Sequence, residues 1–227
     1  MHNSRWASLA WQRWKRHLVV KQVGLSAFLT IFFIAYFHLL RHPAFPVSVM
    51  PTIWLDQMIP FEPLAVLIYV SLWIYVAFPA LLTWSLRQLY LYAGLCFALC
   101  VVALVCFYFW PTSVPVADTD WARYPGLAFL KHLDAGGNAC PSLHVATAVF
   151  TGIWLNRFLR HLGAGKWPRT INALWCVGII YSTLATRQHV ALDALAGAGL
   201  GGIFGIATQR LTTRLVSAST DNHVRAN

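Results

Sequence analysis

Two short stretches hold most of the chemistry this sequence can bring to one place: Cys140-Pro141-Ser142-Leu143-His144, and the run from Ser182 to Asp193 that contains Arg187 and His189. His189 and Asp193 are four residues apart, so on a helix they share a face and lie within hydrogen-bond reach. A carboxylate there fixes the imidazole tautomer and raises its basicity, as the third group of a nucleophile relay does. Pro141 suits a first helical turn, and Ser142 beside it would leave a hydroxyl and unpaired amides pointing outward. Such a helix start attracts anions, so a phosphate could dock there. Asp193 sits inside an apolar run, where an unpaired carboxylate costs about 3 kcal/mol on insertion scales. It needs a partner, and His189 is the nearest in sequence. His144 and His189 are therefore expected to meet over a phosphate ester, whereas His2, His17, His161 and His223 read as interfacial histidines reaching for water.

The elements that must position these residues follow from composition. The chain has 227 residues, 58% hydrophobic and 11% charged, which excludes an ordinary soluble domain. Apolar runs long enough to cross a bilayer fall near residues 22–40, 63–86, 89–110, 142–159, 170–185 and 189–207. Lipid offers no partner for a free backbone amide, so all six should be helices. The expected fold is all-α: a polytopic membrane protein with six transmembrane helices in one bundle. An amphipathic interfacial helix precedes it in residues 1–21, with Trp6, Leu9, Ala10 and Trp14 on one face, and reads as no cleavable signal. The membrane domain spans 22–210 and a polar tail 211–227. Gly197, Gly201 and Gly205 give the last span a small-residue face for close packing.

The net charge of +10 does not indicate nucleic acid, because the basic residues sit at helix ends and are not interleaved with stacking aromatics. The five cysteines lack a paired spacing and read as small core residues. Thirteen of the seventeen Lys and Arg fall on the side of the termini, which the positive-inside bias makes cytoplasmic. Five of the seven acids (Asp56, Glu62, Asp118, Asp120 and Asp134) fall outside. Trp54, Trp110 and Trp121 mark the outer interface, and Trp14, Trp84 and Trp167 the inner one. Both histidine segments then start at the outer face, and a chain of this compactness suits a bacterial inner membrane.

Pro141-Ser142-x-His144 and Ser182-Thr183-x5-His189-x3-Asp193 resemble the second and third signatures of the phosphatidic acid phosphatase type 2 superfamily, Pro-Ser-x-His and Ser-Arg-x5-His-x3-Asp. The resemblance covers the chain from about Trp110 onward. It implies metal-independent phosphoryl transfer through a phosphohistidine, without a cofactor. His189 would attack phosphorus, Asp193 would orient it, and His144 would protonate the departing oxygen and then deprotonate the acceptor. Thr183 stands where the family has arginine, and the first signature, Lys-x6-Arg-Pro, is missing. Phosphoryl-transfer sites commonly use cations on the equatorial oxygens. The expected replacements are Arg187 first, then Arg123 and Lys131, with Ser142 and Ser182 completing the substrate-binding set. The Ser182-Thr183 variant, and Ile59-Pro60-Phe61-Glu62-Pro63 leading to Tyr69 and Tyr75, look closer to the inositol phosphorylceramide synthase-like branch.

The reading is an integral membrane lipid phosphatase or phosphotransferase acting on a lipid phosphate ester or diphosphate at the extracytoplasmic face. One alternative is a head-group phosphotransferase of inositol phosphorylceramide synthase type. Another is a zinc-dependent intramembrane hydrolase using His38, His42, His144, His189 and Asp193, and a third is a proton-coupled transporter with His189 and Asp193 as relay.

Overall fold

The computed structural model describes residues 5–116, 123–124 and 138–207. Lys131, Trp121, Asp118, Asp120, Asp134, His2, His223 and the expected tail 211–227 lie outside the described residues.

The chain is mostly helical. In order come α1 (Arg5–Lys15), α2 (Leu18–Arg41), β1 (Ser48–Val49), α3 (Trp54–Met58), α4 (Pro63–Leu81), α5 (Leu86–Phe109), β2 (Thr112–Ser113), α6 (Leu143–His161), α7 (Lys166–Ala185) and α8 (Ala191–Ala207). By length and apolar composition α2, α4 and α5 are each able to cross a membrane. Helix α4 opens as a 3-10 turn over Pro63–Ala65 and continues in short α-helical segments. Proline at its start lacks only an amide that no intrahelical partner would have met.

The boundaries differ from the expected ones at two instructive places. The second apolar run ends at Leu81, and Ser85 caps α5 by accepting from the Gln88 amide at 3.3 Å. The last helix starts at Ala191, so His189 precedes it.

Helix α6 forms the centre, packing most extensively on α7 and also on α4 and α5, while α2 lies against α5 and α4. The core between them is aromatic and aliphatic: Tyr75, Leu99, Phe150 and Ile179 are fully buried. Outward-facing residues are equally apolar, among them Ile31, Ile34, Leu67, Ile74, Phe97, Val177 and Ile203. A soluble protein rarely exposes such a continuous apolar surface; a bilayer solvates it.

Helix α8 approaches α6 through its glycine face. A methyl built on Gly197 or Gly201 would run into the carbonyl oxygens of Ser142 and Ala146, so only glycine permits this backbone distance.

At the end of the bundle where α6 and α8 begin, three connections knit together. Strands β1 and β2 pair in parallel, Ser48 opposite Thr112 and Val49 opposite Ser113, and Asn138 bridges Thr112. The Glu62 amide donates to the Ala185 carbonyl at 3.0 Å, joining the start of α4 to the end of α7. At the opposite end, buried Lys21 donates from Nζ to the carbonyls of Arg13 (2.8 Å), Leu81 (2.8 Å) and Thr83 (3.1 Å). Trp6 and Ala10 of α1 pack on the core there.

Candidate active site

The turn before α8 is dictated by the end of α7. The Arg187 amide donates to the Leu184 carbonyl and the Gln188 amide to Thr183, the paired bonds of a Schellman C-cap. Such a cap puts one residue in the left-handed region, usually glycine, and here it is Arg187 with φ 58°. Its guanidinium donates to the carbonyls of Asp56 (2.9 Å) and Ile59 (3.0 Å), which ties the α3 segment across the turn.

Helix α8 then starts under two acids. Asp56 Oδ1 accepts the Ala191 amide at 2.7 Å, and Asp193 Oδ2 accepts the Val190 amide at 3.3 Å. Carboxylates at a helix N-terminus are favoured by the unpaired amides and the dipole. Asp193 is thus a third-position capping residue with a second duty: its Oδ2 lies 3.3 Å from His189 Nδ1. The two side chains lie at ion-pair distance, but from a turn residue to a helical one and not along one helix face, and Nδ1 is not aligned for a hydrogen bond to Oδ2. Both groups are buried, Asp193 completely and His189 at 7% exposure. The ring thus turns its Nδ1 edge toward the carboxylate.

His144 lies in the first turn of α6. Its ring stacks on that of Tyr69 from α4, centroids 3.8 Å apart and planes 8° from parallel. Its Nε2 is 2.9 Å from the Tyr69 carbonyl oxygen. A carbonyl only accepts, so Nε2 carries the hydrogen, and Nδ1 is the position that can gain or lose a proton.

The two histidines line one cavity of about 180 Å³. Its remaining wall is largely apolar, with Phe28, Phe32, Phe33 and Phe37 of α2, Tyr69, Leu72 and Trp73 of α4 and Cys100 of α5, plus the polar residues Asn138 and Thr147. His189 also borders a second, more polar cavity of about 340 Å³ with Asp56, Gln57, Phe61 and Arg187. His189 is therefore the wall shared between a greasy chamber and a polar vestibule.

The other expected site residues divide. Arg187 reaches the vestibule, although part of its donor capacity serves the α3 carbonyls. Ser142 is fully buried as the cap of α6: its hydroxyl accepts the Val145 amide at 3.3 Å and its own amide donates to the Asp193 carbonyl at 3.0 Å. The hydroxyl thus faces its own helix instead of a docked anion, and Pro141 precedes the cap, outside the first turn. Ser182 is also fully buried and donates to the Ile179 carbonyl at 2.7 Å, bordering neither cavity. Arg123 is exposed and borders neither.

Cys140, next to the cap, has its thiol pushed up to about 11 by burial, with Asp193 and Cys106 adding to it, so it is a neutral neighbour and no nucleophile near pH 7. Among the described residues, no three His, Cys, Asp or Glu side chains come together as a metal-holding group. His38 and His42 pair with each other on the outer surface of α2, away from the two cavities. Among the described residues the zinc reading finds no ligand set.

Three residues at the site carried no chemical signal in the sequence. In the sequence Asp56 is one more acid in an outer loop and Tyr69 one of the aromatics of a span, while nothing singles out Asn138. Their roles arise from partners 135, 75 and 102 residues away.

Residues 111–217 match the family model of the PAP2 superfamily, a stretch that contains His144, His189 and Asp193. No curated protein and no solved structure matches the chain. The superfamily match suggests phosphatase or phosphotransferase chemistry on phosphate esters.

Proposed function

We propose that the protein is an integral membrane lipid phosphatase or phosphotransferase with six spans, both termini cytoplasmic and its site at the extracytoplasmic end. The observation that carries this reading is that His144 and His189 wall the same apolar cavity, with a buried carboxylate behind the second. A lipid chain fits the aromatic chamber and its phosphate sits at His189, where the vestibule brings Arg187 and water. In the first step His189 Nε2 attacks phosphorus, the P–O bond to the lipid breaks, and His144 Nδ1 gives its proton to the leaving oxygen. Asp193 holds His189 Nδ1–H and offsets the positive charge that grows on the ring. In the second step a hydroxyl attacks phosphorus, its proton passes to His144 Nδ1, and the P–N electron pair returns to His189.

The test is His189→Ala in purified protein, assayed for phosphate release from a panel of lipid phosphates and diphosphates. Loss of about four orders of magnitude is expected for a removed nucleophile, together with an acid-labile, base-stable phosphoenzyme in wild type alone. Undiminished turnover would remove the mechanism.

A further inference from the structure

Asn138 sits at the edge of the cavity with only one half of its amide satisfied. Its Nδ2 donates to the Tyr36 carbonyl of α2 at 3.0 Å. The partner is a carbonyl, which only accepts, so the amide orientation is set and Oδ1 faces the other way. That Oδ1 is buried and has no hydrogen-bond donor among the described residues, in a side chain only 5% exposed. A buried amide oxygen without a donor is costly, and the cavity it borders also holds His144 and His189. What would complete it is a hydrogen-bond donor, and among the groups of the proposed reaction that donor is the O–H of the acceptor. A phosphate oxygen would not: it too is an acceptor, and the two lone pairs would repel.

We propose that Asn138 Oδ1 is the docking point for the hydroxyl that takes the phosphoryl group in the second step, water or the alcohol of an acceptor molecule. This inference rests on the phosphohistidine reading above. The hydroxyl donates to Oδ1 while it is positioned, and in the reaction its proton goes to His144 Nδ1 as the O–P bond forms and the N–P bond breaks. Asn138 thereby acts on breakdown of the phosphoenzyme and leaves its formation alone, because the leaving oxygen of the first step needs a donor and not an acceptor.

The experiment uses the full chain in detergent, with the panel lipid that wild type turns over fastest, labelled on phosphorus. Rates of phosphoenzyme formation and breakdown are measured separately, first in water and then with glycerol or inositol added. Asn138→Leu should slow breakdown by about tenfold, as loss of one positioned hydrogen bond does, with formation within about twofold and the steady level of phosphoenzyme raised. Asn138→Asp loses the donor to Tyr36 but keeps an acceptor, so it should break down faster than Asn138→Leu. If the leucine variant does not fold, Asn138→Ala takes its place in the comparison. An acceleration by added alcohol in wild type, lost in the leucine variant, would identify the hydroxyl as the alcohol's; indifference to alcohol would identify it as water's. Equal slowing of both steps, or leucine and aspartate variants that behave alike, would show that Asn138 only ties α2 in place and would overturn the proposal. A wild type that forms no phosphoenzyme would remove the underlying reading, a result distinct from a phosphoenzyme whose breakdown ignores residue 138.

Discussion

His144 is held on two sides by a single residue, since both the ring and the carbonyl of Tyr69 contact it. Replacing Tyr69 by Leu leaves the carbonyl and removes the stacked face, which stabilises both the ring position and any positive charge on it. Aromatic pairs of this kind are worth about 0.5–1.5 kcal/mol beyond burial. We expect kcat to fall about threefold to tenfold with little change in KM; a KM effect alone would mean that Tyr69 touches the lipid and not the histidine. Residue-scale legibility was uneven for a physical reason. His189 and Asp193 stand out in any reading because charge inside an apolar run demands an explanation from its own neighbours. Tyr69 and Asn138 are ordinary side chains in their local sequence, and they acquire a role only when α4 and α2 are laid against the start of α6.

The elements place these side chains through two devices, the Schellman turn after α7 and the glycine face of α8. In the turn, a non-glycine residue at φ 58° costs about 1 kcal/mol relative to glycine, yet Arg187 brings two hydrogen bonds to the α3 carbonyls. Arg187→Ala loses those bonds and keeps the strain, whereas Arg187→Gly loses them and relieves it. The glycine variant should therefore be the more stable of the two by about 1 kcal/mol, with both equally impaired if the guanidinium serves the phosphate. Thermal midpoints in the reverse order would contradict the backbone argument. For α8, Gly201→Ala forces a methyl into the Ala146 carbonyl, while at Gly205 it meets only side-chain atoms, Ile153 Cδ1 first and then its Cβ and Cγ2, which must shift together by a few tenths of an ångström. The first substitution should separate α8 from α6, abolish activity and lower the melting temperature steeply; the second should be tolerated within about 1–2 kcal/mol. The glycine spacing predicts this close approach from sequence alone. The start of α8 was harder to place, because the apolar run continues back through Val190, and the true boundary is set by Asp56, a cap supplied from another segment.

At the scale of the molecule, the two ends of the bundle perform separate tasks. The site end carries the histidines, the two cavities and the small parallel ladder. The other end is fastened by Lys21, whose ammonium occupies the last carbonyls of α1 and α4, with Arg13 Nη1 reaching the Leu82 carbonyl at 3.4 Å. Burial lowers the pKa of Arg13, a sign of how closely α1 is pressed to the bundle. Basic groups at helix C-termini complement the dipole, so one lysine here joins three segments that would otherwise each need a cap. Charge counting assigns Lys21 to the cytoplasmic excess and says nothing of this latch, since two of the three carbonyls it meets lie some sixty residues on, at the end of α4 and just beyond it. Lys21→Met preserves the apolar stem and removes the three donors, which should cost about 2 kcal/mol of stability and release α1 to proteolysis near Arg16. The same variant should retain kcat/KM for phosphate release within about twofold in the fraction that remains folded, because the histidine pair is braced by α4, α6 and α8 at the opposite end. A large loss of turnover without a loss of stability would mean that the latch and the site are coupled through α4, whose first residues hold His144 and whose last residues hold Lys21.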